Sequence, residues 1–422
     1  MPAEPPIVVA NRKELTYLLC LAAELEHGLM CEYLYAAFSL KTRPDDGLPA
    51  EHLEAVERWR SVILRVAAEE MLHWALVNNL LSAVGSAPYV SRPHLPHQAK
   101  GYPAGVQIAL VGFGERALRH MLFLERPEGM ELADAEGFVP TGPALPIMSE
   151  TDIVPWAQEF STVGHLYRSI ERGLVDLAAD LGEDMLFIGP HRAQATPASF
   201  GWPDLVPLTN LAAARGAIAR IVEQGEGARG DWSKAHYGRF LAVLEEYQAM
   251  RAADPRFEPA HPVAPGAVRP ADGVMPDITI TDPLTAAVTD LFNVVYDLIL
   301  QMIVRYFAFG EESDDQLREL ANAAVGLMFS AIKPLGLLLS ELPIGPEHPG
   351  LNAGPNFQLA YRSSFLLPHR RSAWIRFSER LDEAARFADG IAAGDDVRTV
   401  LDHVGKGLRT VMTRMAPHVG DD

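Results

Sequence analysis

The sequence contains the segment Ala68-Glu69-Glu70-Met71-Leu72-His73 in the middle of a stretch, about residues 51–84, whose apolar residues recur at helical spacing. Residues three positions apart lie on the same face of an α-helix, so Glu70 and His73 can share one metal ion. Both lie within the apolar stripe of that helix, which is formed by Val66, Trp74, Val77, Leu80, Leu81 and Val84. Charged groups are rare in such a stripe unless they are paired or bound to a metal. The segment therefore predicts a buried metal-binding pair, with a buried hydrogen-bonded network as the alternative.

A second carboxylate of this kind occurs on the preceding predicted helix, residues 13–40. Glu26 lies in the middle of its apolar stripe, which consists of Leu15, Leu18, Leu19, Ala22, Leu29, Tyr33 and Ala37. Glu24 and His27 also form a Glu-x-x-His pair, but helical geometry directs them away from this stripe and predicts that they are solvated. A buried Glu26 that faces Glu70 and His73 from a neighbouring helix makes a metal site the stronger prediction.

The helical pattern continues along most of the chain and predicts an all-α protein. Further helices are predicted at 154–181, at 208–251 with a break at Gly225-Glu226-Gly227, and at 283–310, 315–342 and 371–415, with a shorter piece at Arg116–Leu124. The helices at 13–40, 51–84, 154–181 and 208–251 are expected to form a four-helix bundle.

A linker is predicted at residues 252–280, which contain six prolines. It would separate a bundle domain, residues 10–252, from a C-terminal helical region, residues 281–418, that begins at an N-cap signal, Asp282-Pro283. The apolar residues of 283–342 are expected to pack on the bundle or on a second subunit, and the latter would make the protein a homodimer.

Composition limits the classes of partner. A formal net charge of −19 argues against nucleic acid, which needs clustered Lys and Arg. The apolar stretch Val294–Phe309 is short and interrupted by charges, so we expect no membrane span. Cys20 and Cys31 lie on one predicted helix roughly 16 Å apart, too far for a disulfide, and no signal peptide is apparent. These features favour a cytoplasmic protein.

The segments Glu26–Leu34 and Glu69–His73 resemble the first two helices of the ferritin-like superfamily. The longer pattern resembles one branch of it, the iminophenylpyruvate dimer synthase-type ferritin-like domains, over about residues 10–250. The matching pieces are Tyr33–Leu40, Ala68–His73, Asn78–Leu81, Val163–Tyr167 and Gln224–Gly227 with the later His236. The resemblance implies a ferritin-like four-helix bundle with additional C-terminal helices. It also implies that Glu26, Glu70 and His73 are iron ligands.

A ferritin-like site also takes ligands from a second pair of helices. Glu226 and His236 are the candidates near the break in the fourth predicted helix, although a simple turn and a surface histidine would explain them equally well. On the third predicted helix the resemblance points to His165, which departs from the Glu or Gln usual there and lies on the far side of the apolar stripe. Glu171 lies at the edge of that stripe and Glu159 lies within it, so three alternatives stay open.

Carboxylate and imidazole ligands suit iron or manganese better than metals that prefer soft ligands. The resemblance implies a non-haem iron centre, mononuclear or dinuclear, that uses dioxygen or peroxide. The expected reaction is the oxidation of a small molecule such as an amino-acid-derived imine or a secondary-metabolite precursor. Iron handling is a second hypothesis, which the C-terminal helices disfavour. A structural protein with a vestigial metal site is a third, which the presence of Glu26, Glu70 and His73 disfavours.

Overall fold

The protein is all-α, as the sequence predicts. The computed structural model describes residues 6–92, 95, 108–136, 138, 158, 160, 162–227, 231–267, 278–308, 311–359, 367 and 369–420. Helices account for 66% of the residues that the structure describes. Within the described ranges, β-structure is limited to isolated bridges such as Leu40 with Ala260.

Eight helices occur in the described part of the N-terminal region. They are α1 (Arg12–Ser39), α2 (Ala50–Ala83), α3 (Glu115–Leu124), α4 (Val163–Leu181), α5 (Glu183–Leu186), α6 (Pro197–Phe200), α7 (Leu211–Gly225) and α8 (His236–Ala253). The described C-terminal helices are α9 (Pro283–Phe307), α10 (Asp314–Leu327), α11 (Lys333–Glu341), α12 (Arg370–Gly390) and α13 (Asp395–Val419). A π-helical segment, Met328–Ile332, joins α10 to α11 without a break.

Side-chain caps start several helices where the sequence places Asn, Asp, Ser or Thr. Asn11 accepts a hydrogen bond from the backbone N–H of Glu14 at the start of α1. Asp282 caps α9 in the same way, and Pro283 occupies its first turn, which confirms the predicted signal. These caps satisfy backbone donors that a helix N-terminus leaves without an intrahelical acceptor.

Two predicted helices differ from the structure. The third begins at Val163 rather than at 154, because Thr162 is extended and its hydroxyl accepts from the N–H of His165. Glu159, one of the three alternatives for a ligand from this helix, lies outside the described residues. The predicted helix 371–415 is two helices, because the chain becomes extended at Ile391 before Gly394 starts α13.

The long helices α1 and α2 pack along each other and form the centre of the fold. On one side, α4 and α7 pack together, as do α3 and α8, and these pairs contact α1 and α2. On the other side, α9 contacts α2, and α11 contacts α1. The pair α12 and α13 packs outside α9 and α10. As a result, α1 is enclosed by other helices along most of its length, and 22 of its residues are buried.

Two helical segments are long and apolar enough to cross a membrane by length and composition alone. They are Pro283–Phe307 and the continuous run Asp314–Glu341. However, 67% and 56% of their most apolar windows are buried inside the fold. Core helices of this kind pass the same test, so the two segments are weak signs of a membrane protein.

Candidate metal centre

Glu26, Glu70 and His73 converge between α1 and α2, as their helical spacing predicts. All three side chains are at most 2% exposed. The Nδ1 atom of His73 lies 3.0 Å from Oε2 of Glu70 and 3.6 Å from Oε2 of Glu26. Each residue presents one ligand atom, and the three atoms lie within 4.8 Å of one another.

A second group of potential ligands shares Glu70. The Nδ1 atom of His236, at the start of α8, lies 2.7 Å from Oε1 of Glu70 and 3.4 Å from Oε2 of Glu125. These three ligand atoms also lie within 4.8 Å of one another. Each oxygen of Glu70 therefore faces a different group. This arrangement would let Glu70 bridge two metal ions, as carboxylates do in dinuclear centres built in helical bundles.

Glu125 is the member of these groups that the sequence did not reveal. It is the C-cap residue of α3 and directly follows the apolar run of that short helix. A carboxylate that ends a helix is usually solvated, so periodicity carries no signal for it. The packing of α3 against α8 brings Glu125 to His236 and buries it.

Hydrogen bonds on the outer side of both imidazoles orient them toward the carboxylates. The Nε2 atom of His73 lies 2.8 Å from Oε1 of Gln224, and Nε2 of His236 lies 2.9 Å from Oε2 of Glu69. Arg239 in turn holds Glu69. With donation from Nε2–H to these oxygens, Nδ1 is the nitrogen whose lone pair would be available to a metal ion. Metal-binding histidines in proteins usually have such an outer partner.

Two buried tyrosines hold the outer oxygens of the other carboxylates. Tyr33 donates its hydroxyl hydrogen to Oε1 of Glu125, and Tyr167 donates to Oε1 of Glu26, both at 2.5 Å. One oxygen of each carboxylate is thereby fixed by a neutral donor. The other oxygen of each, Oε2, is left to face the centre.

The inward-facing atoms are not satisfied by hydrogen bonds. Oε2 of Glu26, Oε1 of Glu70 and Nδ1 of His236 are buried and make no hydrogen bond of acceptable geometry within the described part of the chain, although Nδ1 of His236 and Oε1 of Glu70 form an ion pair at 2.7 Å. Burying such atoms unsatisfied costs about 1–3 kcal/mol each, and more for charged groups. A cation at each group would satisfy them, and the donor set of carboxylates and imidazoles suits iron or manganese. The residues present therefore fit a metal centre.

The pKa values of Glu26 and His73 are both raised, as expected where buried carboxylates lie close together. Burial, reinforced by the neighbouring Glu70, raises the pKa of Glu26 to about 8. Burial lowers the pKa of His73, but Glu70 and Glu26 raise it more, to about 10. Without a metal ion, protons on Glu26 and His73 would partly neutralise the carboxylates. Metal binding would displace these protons, since metal ligands bind in their deprotonated forms.

The structure places the remaining predicted ligands outside both groups. His165 lies 3.4 Å from Glu128, and Glu226 accepts from the guanidinium of Arg168 at 2.5 Å. The Glu226 carboxylate lies against Gly164, where an added Cβ would come within 1.7 Å of Oε1. Glu171, on the same helix as His165, pairs with Arg215 at 2.8 Å.

The expectation that Glu24 and His27 are solvated is wrong for His27. His27 is fully buried, and its Nδ1 lies 3.0 Å from the carbonyl oxygen of Val90. Its Nε2 contacts the hydroxyl of Tyr296 on α9. The sequence pattern of α1 identifies one buried face, but α9 and its neighbours cover a second one.

Relatives with curated functions match most of this chain. It is 28% identical to dichlorochromopyrrolate synthase from Lentzea aerocolonigenes, in a match that covers 90% of this chain and 39% of that protein. It is also 28% identical to 2-imino-3-(indol-3-yl)propanoate dimerase from Chromobacterium violaceum, over 84% of this chain and 34% of that protein. The chain thus spans little more than a third of the length of these relatives.

A solved structure and a protein family match the fold. The crystal structure of a ferritin-like protein from Caulobacter vibrioides superimposes with a TM-score of 0.52 at 17% identity, covering 84% of this chain and all of that one. This likeness supports the ferritin-like fold predicted from the sequence. The family described as Ferritin-like matches residues 19–245, more than half of the chain and the part that contains both ligand groups. The chain belongs to the ferritin-like family.

Proposed function

We propose that this protein is a non-haem, dinuclear iron oxidoreductase that acts on a small aromatic imine or a related precursor of a secondary metabolite. The observation that carries the proposal is the position of Glu70, whose two oxygens face two separate groups of buried ligands. One ion would be held by Glu26, Glu70 and His73. The other would be held by Glu70, Glu125 and His236. His165 and Glu226 are not part of the proposed ligand set, because their side chains contact Glu128 and Arg168 instead.

Iron bound by carboxylates and imidazoles supplies one-electron chemistry and reactivity toward dioxygen or peroxide. The chain itself would hold the centre in place and shield it. Gln224 and Glu69 fix the orientation of the two imidazoles, and the hydroxyls of Tyr33 and Tyr167 donate hydrogen bonds to the outer oxygens of Glu125 and Glu26. Since all these ligands are buried, water has little access to them.

The proposed substrate class follows from the two curated relatives. The name of one describes the dimerisation of an indole-bearing imine, and the name of the other describes the synthesis of a dichlorinated chromopyrrolate. Joining two such molecules through a new carbon–carbon bond, with loss of hydrogen from each, requires an electron acceptor. Dioxygen or peroxide would be that acceptor here. Because the match covers little more than a third of each relative, we assign only the substrate class and leave out the product.

Iron loading combined with oxygen consumption tests the proposal. Protein reconstituted with ferrous iron under anaerobic conditions should bind about two ions per chain and then consume dioxygen with an aromatic imine present. The Glu70→Gln variant should bind less iron and consume no dioxygen above background. Glu226→Gln is the matched control, because it changes a buried carboxylate outside both groups.

Two results would reject the proposal in different ways. Uptake of many iron ions per chain, without any effect of the imine, would favour iron handling. Equal iron content in wild-type protein and in Glu70→Gln would show that the two groups do not bind the metal.

A further inference from the structure

An apolar groove lies between α2 and α9. Its lining on α2 includes Leu64, Ala68, Met71 and Ala75, and α9, the π-helical segment and Phe357 close its far side. Its lining contains none of the residues of the two ligand groups, although Trp74 lies one helical turn from Glu70. The groove is therefore distinct from the ligand groups at Glu70. Its cavity volume is about 240 Å³.

The groove is open to an incoming molecule. Ala68 is exposed, and Phe329 at the rim is 69% exposed although it is a large apolar side chain. Phe329 belongs to the π-helical segment, which also contributes Met328 and Ile332 to the lining. Single π-helical turns inserted in α-helices occur frequently at functional sites. Phe329 extends the apolar lining of the groove to the surface.

The lining indicates a flat aromatic ligand. Much of it is aromatic, including Phe38, Trp74, Trp202 and Phe329. Aromatic side chains favour stacked and edge-on contacts with another ring. A cavity of about 150 Å³ can hold one benzene ring, so this groove has room for a fused two-ring system.

One charged group indicates that the ligand carries an anionic acceptor. Lys333 is the one charged side chain among the described residues that line the groove. Ligand sites in proteins commonly combine an apolar lining with a few polar groups. A carboxylate would pair with Lys333.

We propose that this groove is a binding site for a planar aromatic carboxylate of about indole size. The site does not depend on metal at the Glu70 groups, because its lining residues are distinct from the ligands. It would hold such an acid whether or not the protein is loaded with iron.

Isothermal titration calorimetry with indole-3-acetate tests the proposal, using full-length protein both with and without iron. Both forms should bind the acid in a 1:1 ratio. Ala68→Trp should weaken binding by at least about tenfold, since the larger ring fills the groove. Ala219→Trp is the matched control, because Ala219 is an exposed helical alanine on α7, outside the groove. Phe329→Asp, a second variant at an exposed position, should also weaken binding.

The role of Lys333 is tested by comparing a charged probe with a neutral one. Lys333→Met should weaken the binding of indole-3-acetate by about twofold to fivefold, as expected for a partly exposed ion pair, and leave the binding of 3-methylindole unchanged. Unchanged affinity of Ala68→Trp would overturn the proposal. The proposal would also be overturned if the wild-type protein failed to bind indole-3-acetate. It would be overturned as well if the protein bound dodecanoate, a linear acid without a ring, more tightly than indole-3-acetate. Loss of binding only in the iron-free protein would place the acid at the metal centre instead.

Discussion

Glu70 links the two ligand groups because each of its oxygens faces a different imidazole. Its position could be predicted from the sequence, as could those of Glu26 and His73, because helical periodicity alone places them on the facing sides of two consecutive helices. Glu125 could not, because its place depends on how α3 packs against α8. Glu226 and His165 lie near one another, but Arg168 and Glu128 provide local partners for them.

Glu125 and Glu226 provide a direct comparison at this scale. Glu125→Gln is expected to lower bound iron from about two ions per chain to one or fewer, because it removes a charged ligand of the second group. Glu226→Gln is expected to leave the iron content unchanged. Elemental analysis of both variants, purified in parallel, measures this. Retention of two ions in Glu125→Gln, or loss of iron in Glu226→Gln, would require a different ligand set.

His120 gives a pH-dependent prediction away from the metal centre. It is buried on α3, 2.7 Å from Asp134 and 3.6 Å from Glu32. Burial lowers the pKa of His120, but Glu32 and Asp134 raise it more, to about 9. In the unfolded chain the pKa of a histidine is about 6.5. Because the pKa of His120 is higher in the folded state, protonated His120 stabilises the fold at any pH below its pKa in the unfolded state. This contribution is lost as the pH rises through its pKa in the folded state.

The stabilisation from protonated His120 should therefore be complete near pH 6 and largely lost above about pH 9. It is on the order of 3 kcal/mol at most. Urea unfolding at both pH values measures it as the difference in free energy between the wild-type protein and His120→Gln. The exposed His403 on α13 supplies the control variant, His403→Gln, which should change stability little at either pH. An equal effect of His120→Gln at the two pH values would contradict the assignment.

At the scale of elements, α1 shows where sequence periodicity stops being informative. Its apolar stripe correctly predicted that Glu26 is buried. However, a helix that is enclosed on most sides has no solvated face, so the periodicity of its apolar residues does not show which other residues are buried. The expectation that His27 is solvated is wrong, because α9, which lies far along the sequence, brings Tyr296 against it. The helix start at Asp282 was readable because caps are local signals. The break near Ile391 was missed, although Asp389-Gly390 and Gly394-Asp395 are local stop and start signals on either side of it.

Two helical glycines distinguish packing from helix propensity. An added Cβ at Gly336 of α11 would come within 2.5 Å of the Phe38 ring on α1, whereas at Gly326 of α10 it would meet nothing within 4 Å. Gly326→Ala should stabilise the protein by about 0.5–1 kcal/mol through helix propensity. Gly336→Ala should destabilise it by about 1–3 kcal/mol, because overpacking outweighs the same gain.

Denaturant unfolding of both glycine variants measures these changes in the free energy of unfolding. The prediction depends on α11 packing directly against α1. If Gly336→Ala stabilised the protein as much as Gly326→Ala, the close contact between α11 and α1 would be contradicted.

At the scale of the whole molecule, the pair α1 and α2 separates two kinds of site. The ligand groups lie toward α3, α4, α7 and α8, and the apolar groove lies toward α9 and the π-helical segment. The all-α class, the four principal helices and the expectation that residues 283–342 pack on the bundle or on a second subunit followed from the sequence, because they depend on long periodic segments. The groove did not, because its walls come from helices more than 200 residues apart, and no local pattern records which faces will meet.

Metal analysis of the native protein tests the central claim most directly. Protein purified from iron-supplemented cells without chelators should contain stoichiometric iron. His73→Ala should contain much less iron while its far-ultraviolet circular dichroism remains nearly unchanged, because the apolar faces of α1 and α2 survive the substitution. Wild-type protein without any stoichiometric transition metal, combined with a clear loss of folding stability in His73→Ala, would contradict the account. The cluster around Glu70 would then be a buried hydrogen-bonded network within a ferritin-like fold.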